Sequence, residues 1–340
     1  MINIGIIGYG YWGPNLVRNF METPGSRVIA VCDLNPERLK RVKDRYPNIP
    51  LTTDYTVLIK NPAVDAIAIA TPVGTHFDFA LQAIHAGKHV FVEKPMTTTV
   101  EQGQILRDEA ARHNLVLLVD HTFVYMGAVK KIKEIVKAGE LGDIYYYDST
   151  RVNLGLFQYD VNVVYDLAVH DLSILDYVLD GIRPIAVSAI GKSHFPGKPE
   201  NTAYVTLFFD SDFIAHINVN WLSPVKIRQT LLSGSKKMIF FDDLAATEKI
   251  KIYDAGITVN ENSENMYEAM VSYRMGDIRV PQFDRKEALR IEAQHFLDCI
   301  QGHAKPLTGA DMGLRVVKIL EATSQSLLQE GKKVKLTWAD

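Results

Sequence analysis

Cysteine is scarce in this chain. Its two residues, Cys32 and Cys299, fall one in a predicted strand and one in a predicted helix. Two isolated thiols exclude a disulfide framework as the source of stability and lead us to expect a reduced, cytoplasmic protein with both groups acting as small buried side chains. Positive charge is not in excess either. The formal net charge is −3 and no long basic run occurs, which argues against nucleic acid as the main partner, because no surplus of Lys and Arg is available to neutralise phosphates. No uninterrupted apolar run approaches the length that crosses a bilayer, and no basic region precedes the first apolar run, so neither a membrane association nor a signal peptide is expected. The ten histidines show no HExxH or Cys/His zinc spacing, so no metal site is expected and zinc-dependent alcohol oxidation is disfavoured. Internal repeats and low-complexity tracts are missing as well.

What is present is a length of 340 residues with 47% hydrophobic and 23% charged side chains, enough for large cores and more than one ordinary domain. The first thirteen residues organise the rest. The apolar run Ile2–Ile7 reads as a buried parallel strand, and Gly8-Tyr-Gly10-Tyr11-Trp12-Gly13 opens from it into a helix. In such a turn Gly8 permits the bend, Gly10 lets backbone approach a pyrophosphate, and Gly13 lets helix pack on strand, while the free N–H groups and dipole of the helix favour the anion. A second strand, Arg27–Cys32, ends in Asp33, twenty residues after Gly13, the spacing at which a carboxylate accepts hydrogen bonds from an adenosine ribose. A carboxylate there would repel a 2′-phosphate, so NAD is expected over NADP. The plainer alternative is a bare βαβ unit in which Asp33 only starts a turn.

Strands and helices then alternate to about residue 121, which predicts a doubly wound parallel sheet with ligands beyond the carboxyl ends of its strands. Three strand ends carry polar punctuation: Thr71-Pro72 with His76, Glu93-Lys94-Pro95, and Asp120-His121. All should lie on the rim that holds the glycine turn, although a lysine in a strand-end loop is often only solvated. From residue 122 to residue 340 longer strands dominate. In Ile214–Trp221 the residues Ala215, Ile217, Val219 and Trp221 share one face, as in an antiparallel sheet with one side on a core. The polar stretch 260–265 reads as a loop, and late helices are expected over 286–301 and 312–329. The predicted division is therefore a dinucleotide-binding domain, 1–121, followed by an α+β domain, 122–340.

Between the strands of that second half, Val164–Leu175 has the apolar spacing of a helix that places Asp166 and His170, four residues apart, on one face. A carboxylate one turn from an imidazole suits acid/base work near neutral pH, whereas a helix cap and a core histidine are the plainer alternatives. Beside a nicotinamide, oxidation of a carbon requires that its hydroxyl lose a proton. His170 is the expected base, Lys94 the cation that holds the same oxygen, and Asp166 the group that orients the imidazole or a neighbouring hydroxyl. Arg151, Asn153 and Tyr165 flank these residues and are candidate substrate contacts.

The order GYGYWG, Asp33, Thr71-Pro72-x-x-x-His76, Glu93-Lys94-Pro95, Asp166-x-x-x-His170, Glu292-x-x-x-Phe296 and Pro306 resembles the glucose-fructose oxidoreductase, inositol dehydrogenase and rhizopine-catabolism (Gfo/Idh/MocA) family over essentially the whole chain. The resemblance implies a Rossmann domain followed by an open, mainly antiparallel sheet domain that often assembles into dimers or tetramers. It also implies a cis Lys94–Pro95 bond, NAD contacts from Gly8, Gly10, Tyr11, Trp12, Gly13, Asp33, Thr71, Pro72, His76, Glu93 and Lys94, and a catalytic trio of Lys94, Asp166 and His170 acting on a sugar or cyclitol hydroxyl. Two departures narrow the substrate. The segment His121–Met126 lacks the arginine-bearing sequence of the inositol dehydrogenases, and Val73 follows Thr71-Pro72 where the family frequently has Asn. The start Trp12–Arg18 is similar to members that oxidise the 3-hydroxyl of a UDP-N-acetylhexosamine or its uronic acid for surface-polysaccharide synthesis. Alternatives are an inositol or free-sugar dehydrogenase, an NAD-dependent glycosidase or eliminase, and a non-catalytic sugar sensor.

Overall fold

The structure, a computed structural model, describes residues 1–155, 161–259 and 271–338. The chain divides into two compact units, Met1–Met126 with Lys286–Glu321, and Gly127–Arg285 with Ala322–Asp340.

In the first unit the elements run β1 (Ile2–Ile7), α1 (Gly13–Glu22), β2 (Ser26–Cys32), α2 (Pro36–Arg45), β3 (Leu51–Thr52), α3 (Tyr55–Lys60), β4 (Ala66–Ile69), α4 (His76–His85), β5 (His89–Glu93), α5 (Val100–Arg112) and β6 (Leu117–Asp120). The six strands lie in the order β3-β2-β1-β4-β5-β6, all parallel. They read as unbroken apolar runs because helices cover both faces, and Ile4, Ile6, Ile67, Ile69, Phe91 and Leu118 are fully buried. The order reverses between β1 and β4, so the loops after these two strands diverge to opposite faces and leave a crevice at their carboxyl ends. Helix starts follow their sequence signals: Asn35 accepts from Glu37 N–H, Asp54 from Thr56 N–H and Thr99 from Gln102 N–H.

The second unit contains α6 (Gly127–Lys137), β7 (Ile144–Leu154), a π-helical turn (Val164–Ala168) continuing into α7 (Val169–Leu179), β8 (Ala186–Lys192), β9 (Thr202–Phe208), β10 (Ile214–Asn220), β11 (Leu222–Gly234), β12 (Met238–Asp242), β13 (Ile250–Tyr253), β14 (Gly256–Val259), β15 (Val271–Arg274), β16 (Ile278–Arg279) and β17 (Val334–Lys335). Its main sheet is ordered β16-β13-β12-β11-β7-β10-β9-β8-β17, while β14 and β15 pair separately. Every pair is antiparallel except β7 with β10. The alternation expected for β10 holds: Ala215, Ile217, Val219 and Trp221 are wholly buried, while Ile214 is 43% exposed. The stretch 260–265, read as a loop, lies outside the described residues.

The late helices α8 (Ala288–Ile300) and α9 (Ala310–Leu328) correct the expected boundary at residue 121. Leu289, Ala293, Phe296 and Leu297 of α8 join Ile4, Leu16, Phe20 and Phe91 in one core, and Val317 of α9 joins Ile67, Ile69 and Val90 on the other side of the sheet. The rings of Phe20, Phe91 and Phe296 meet edge to face, with centroids 5.4 to 6.2 Å apart. Apolar faces of that size find their cover wherever the topology offers it, here in the parallel sheet. The last turns of α9 belong to the second unit, where Ser326 Oγ accepts from Ala189 N–H at 2.8 Å.

Candidate active site

The glycine turn is built by close approach of backbone to backbone. Gly8 has φ +99°, and a Cβ there would lie 2.3 Å from the Ala70 carbonyl oxygen; one on Gly13 would lie 2.3 Å from that of Gly8. A Cβ on Gly10, by contrast, would meet nothing nearer than Arg38 Nη1 at 3.7 Å, so the space over the turn is open. Helix α1 begins there with no side-chain cap and no acid in its first turn; Pro14 has no N–H and those of Asn15 and Leu16 donate to the Trp12 carbonyl oxygen, which leaves the Gly13 N–H for another acceptor. Asp33, 6% exposed, is fixed by N–H donors: Tyr9 to Oδ2 at 2.6 Å and Asn35 to Oδ1 at 2.8 Å, with Arg38 Nη1 3.5 Å from Oδ2. Oδ1, with one donor, still has acceptor capacity for a hydroxyl. Tyr11 is 81% exposed at the turn, whereas Trp12 donates its indole N–H to Asp120 Oδ2 at 2.8 Å and so ties the turn to the end of β6.

His76 does something its expected cofactor contact did not require. It is buried, with Nδ1 3.0 Å from the Pro95 carbonyl oxygen and Nε2 2.9 Å from that of Thr71. Both nitrogens thus bridge the ends of β4 and β5, a positioning part that steadies the loop carrying Lys94 and its cis bond to Pro95. Thr71 and Thr75 share a hydroxyl hydrogen bond of 2.7 Å across the same loop.

Behind that loop sits a group of buried titratable side chains. Glu93 and Asp120 are register neighbours on β5 and β6, His121 follows Asp120, and Glu292 comes from α8. Asp120 accepts from Trp12 and from the Thr122 hydroxyl, but Glu93 Oε1, both oxygens of Glu292 and both ring nitrogens of His121 have no hydrogen-bond partner among the described residues. Burial pushes the carboxyls of Glu93 and Glu292 well above the ordinary range, and the nearby charge of Asp120 adds to it. Burial pushes His121 down to about 4, with Lys94 acting in the same direction against the attraction of Asp120. A histidine whose folded pKa is depressed contributes stability above its unfolded value near 6.5 and loses it as pH falls toward 4, an effect of about 3 kcal/mol for this shift. Urea melts of the wild type and His121→Gln at pH 7 and 4.5 should therefore show a larger acid loss in the wild type. Equal losses would contradict a neutral buried imidazole. Glu93 and Glu292 act in the opposite sense, losing stability as pH rises above the unfolded carboxyl value, so the difference between the two proteins is the readout.

In the second unit Asn162 Oδ1 accepts from the N–H groups of Val164 and Tyr165 and starts the π-helical turn. The sequence spacing predicts a plain helix here; the wider turn, with Val169 N–H reaching Val164 O, lies between Asp166 and His170. Asp166 Oδ2 accepts the indole N–H of Trp221 at 2.9 Å. Trp221 is itself immobilised, fully buried and pressed against Gly155, where a Cβ would lie 2.3 Å from its ring. Asn153 has a buried Oδ1 with no hydrogen-bond partner among the described residues, and Tyr165 is 7% exposed. The Arg151 side chain is 3% exposed, with Nε 2.7 Å from Asp171 Oδ2 and Nη2 3.2 Å from Oδ1, while Ser149 Oγ donates to the same carboxylate. This buried pair joins β7 to α7.

Residues 2–121 match the family described as an oxidoreductase family with an NAD-binding Rossmann fold, and residues 129–240 match the GFO/IDH/MocA C-terminal domain. The chain belongs to the Gfo/Idh/MocA oxidoreductase family. It is 24% identical to scyllo-inositol 2-dehydrogenase (NAD(+)) of Bacillus subtilis, a match that covers 90% of this chain and 87% of that protein. The solved WlbA dehydrogenase of Bordetella pertussis, in complex with NADH and UDP-GlcNAcA, superposes with a TM-score of 0.80 at 19% identity over 99% of both chains. UDP-N-acetylglucosamine 3-dehydrogenase GnnA of Acidithiobacillus ferrooxidans gives 0.79 at 24% identity over 96% of this chain and 98% of that one.

As a Gfo/Idh/MocA protein the chain is an NAD-dependent oxidoreductase. The turn fits that cofactor: the open space over Gly10, the uncapped Gly13 N–H and dipole at the start of α1, and the anchored Asp33 supply a phosphate cradle and a ribose acceptor. Sequence reasoning missed the anchors behind these groups, namely Trp221 for Asp166 and Trp12 for Asp120, and the burial of the Glu93 and Glu292 carboxyls. Trp221 was visible as the last inward residue of its strand, but its hydrogen bond to a residue 55 positions away had no local signal.

Proposed function

We propose that this Gfo/Idh/MocA protein oxidises a secondary hydroxyl of a sugar, and that the sugar is a nucleotide sugar of the UDP-N-acetylhexosamine type oxidised at its 3-hydroxyl. The observation that carries the reading is the Asp166 carboxylate held by a rigid buried Trp221 just before His170. A group fixed in that way can orient an imidazole that must take a proton, a need that a sensor does not have. Bound NAD supplies the hydride acceptor. His170 removes the hydroxyl proton as the carbonyl forms and releases it to solvent, and the Lys94 ammonium stabilises negative charge on the same oxygen. Asn153, with an unmatched buried oxygen, accepts from a substrate hydroxyl or amide.

The substrate class is supported by the Trp12–Arg18 segment and by relatives whose structures hold or name UDP-N-acetylated sugars. A second reading, an inositol dehydrogenase, is favoured by the relative that acts on scyllo-inositol. Assembly through the open sheet face is part of the same proposal: Ile190 and Tyr204 are cross-strand neighbours that stand 61% and 48% exposed. The test is an NADH-absorbance screen against UDP-N-acetylhexosamines, free hexoses and inositols. The highest kcat/KM is expected with the UDP-sugar; a clear preference for an inositol would replace the first reading by the second.

A further inference from the structure

The described residues hold a second set of chemically capable side chains, on the surface of the first unit. We propose that His85, Glu109 and His113 bind one divalent transition-metal ion of the zinc class. Nε2 of His85 lies 3.0 Å from Glu109 Oε2, Nε2 of His113 lies 3.7 Å from the same oxygen, and the three ligand atoms all fall within 4.8 Å of one another. Tetrahedral zinc bound at 2.0–2.1 Å sets its ligands about 3.3 Å apart, so the observed spacing closes on an ion with small side-chain rotations. The two imidazoles are free to make them, with side chains 50% and 38% exposed.

The backbone beneath them is firm. His85 is the last residue of α4, Glu109 lies in the final turns of α5, and His113 follows directly as the cap of that helix. The two helices pack on each other, and Ala80, Ala83, Ile84, Leu106 and Ala110 bury their inner faces. Both helices therefore end at the site, and the negative ends of both dipoles favour a cation there. Two imidazoles and a single carboxylate select zinc, cobalt, nickel or copper over magnesium or calcium, which prefer sets of oxygens. The set has no signature in the sequence, because one ligand comes from a different helix.

Arg112 is the competitor. It reaches the same Glu109 oxygen and is 67% exposed, so it swings away when the carboxylate turns to an ion. Bound metal would cross-link the ends of α4 and α5 and leave its remaining positions to water.

The experiment uses the full chain, stripped with a chelator and titrated with zinc chloride by calorimetry, with magnesium chloride as the control ion. One zinc per chain is expected and no magnesium. His85→Ala and His113→Ala should each weaken zinc binding at least about tenfold, and Arg112→Ala should tighten it severalfold by removing the competing guanidinium. These exposed substitutions leave the packed faces of both helices untouched, so a thermal melt without metal should match the wild type. Absence of zinc uptake by the wild type, or equal affinity in the His85→Ala/His113→Ala double variant, would overturn the site. Unchanged affinity in Arg112→Ala would overturn the part given to Glu109.

Discussion

His170→Ala is expected to lower turnover by roughly 10² to 10⁴, the range of a positioned proton acceptor, while NAD affinity measured by calorimetry stays within about twofold of the wild type. The reason lies in where the residue sits. His170 opens α7 in the second unit, whereas the glycine turn and Asp33 belong to the first. Lys94→Ala should lose a similar factor, about 10² to 10³, because it removes the cation that stabilises a developing oxyanion. On the proposed mechanism the double variant should fall only slightly below the worse single one, since groups that serve one step are not additive. An undiminished rate in His170→Ala would remove that residue from the mechanism, and a strictly additive double variant would separate the two roles.

The largest expected effect on cofactor binding comes from the turn, and three neighbouring glycines separate its causes. Gly8→Ala must place a Cβ 2.3 Å from a carbonyl oxygen of β4's end at φ +99°, and neither the backbone oxygen nor the dihedral can yield cheaply. We expect NAD affinity to drop by at least about a hundredfold and the first unit to melt several degrees lower. Gly13→Ala should behave in the same way, because its Cβ meets the Gly8 carbonyl at 2.3 Å. Gly10→Ala should not. Its Cβ meets no atom closer than 3.7 Å, so stability should be unchanged while NAD affinity still falls. Normal NAD affinity in Gly10→Ala would show that the phosphates do not approach the backbone there.

Much of this was legible because the relevant signals are local. A buried apolar run, three glycines at fixed spacing and an acid at the end of the next strand are all specified within 33 residues, and the alternation in β10 is set by the two-residue period of any strand. What was not legible depends on contacts between distant segments. The return of α8 to cover Phe20 and Phe91 in the first unit is not legible, because nothing in an amphipathic helix says which core it will join. The pairing of Arg151 with Asp171, twenty residues on, has no local signal. The π-helical turn at Val164–Ala168 has the apolar pattern of an ordinary helix. Glu292 stands out in the sequence only for its spacing to Phe296, while the upward push on its carboxyl follows from burial that only the fold provides.

The pattern of support also says where change is tolerated. His76 joins two loop carbonyls and Trp221 holds one carboxylate oxygen, so substitution of either is expected to disturb the positions of Lys94 and Asp166 that the proposed mechanism needs.

The most direct test of the account follows the hydrogen itself. UDP-N-acetylglucosamine deuterated at the carbon bearing the 3-hydroxyl is mixed with NAD and protein, and the reduced cofactor is weighed by mass spectrometry. The account predicts NADH carrying one deuterium in the wild type and almost none formed by His170→Ala; NADH without the label would contradict it.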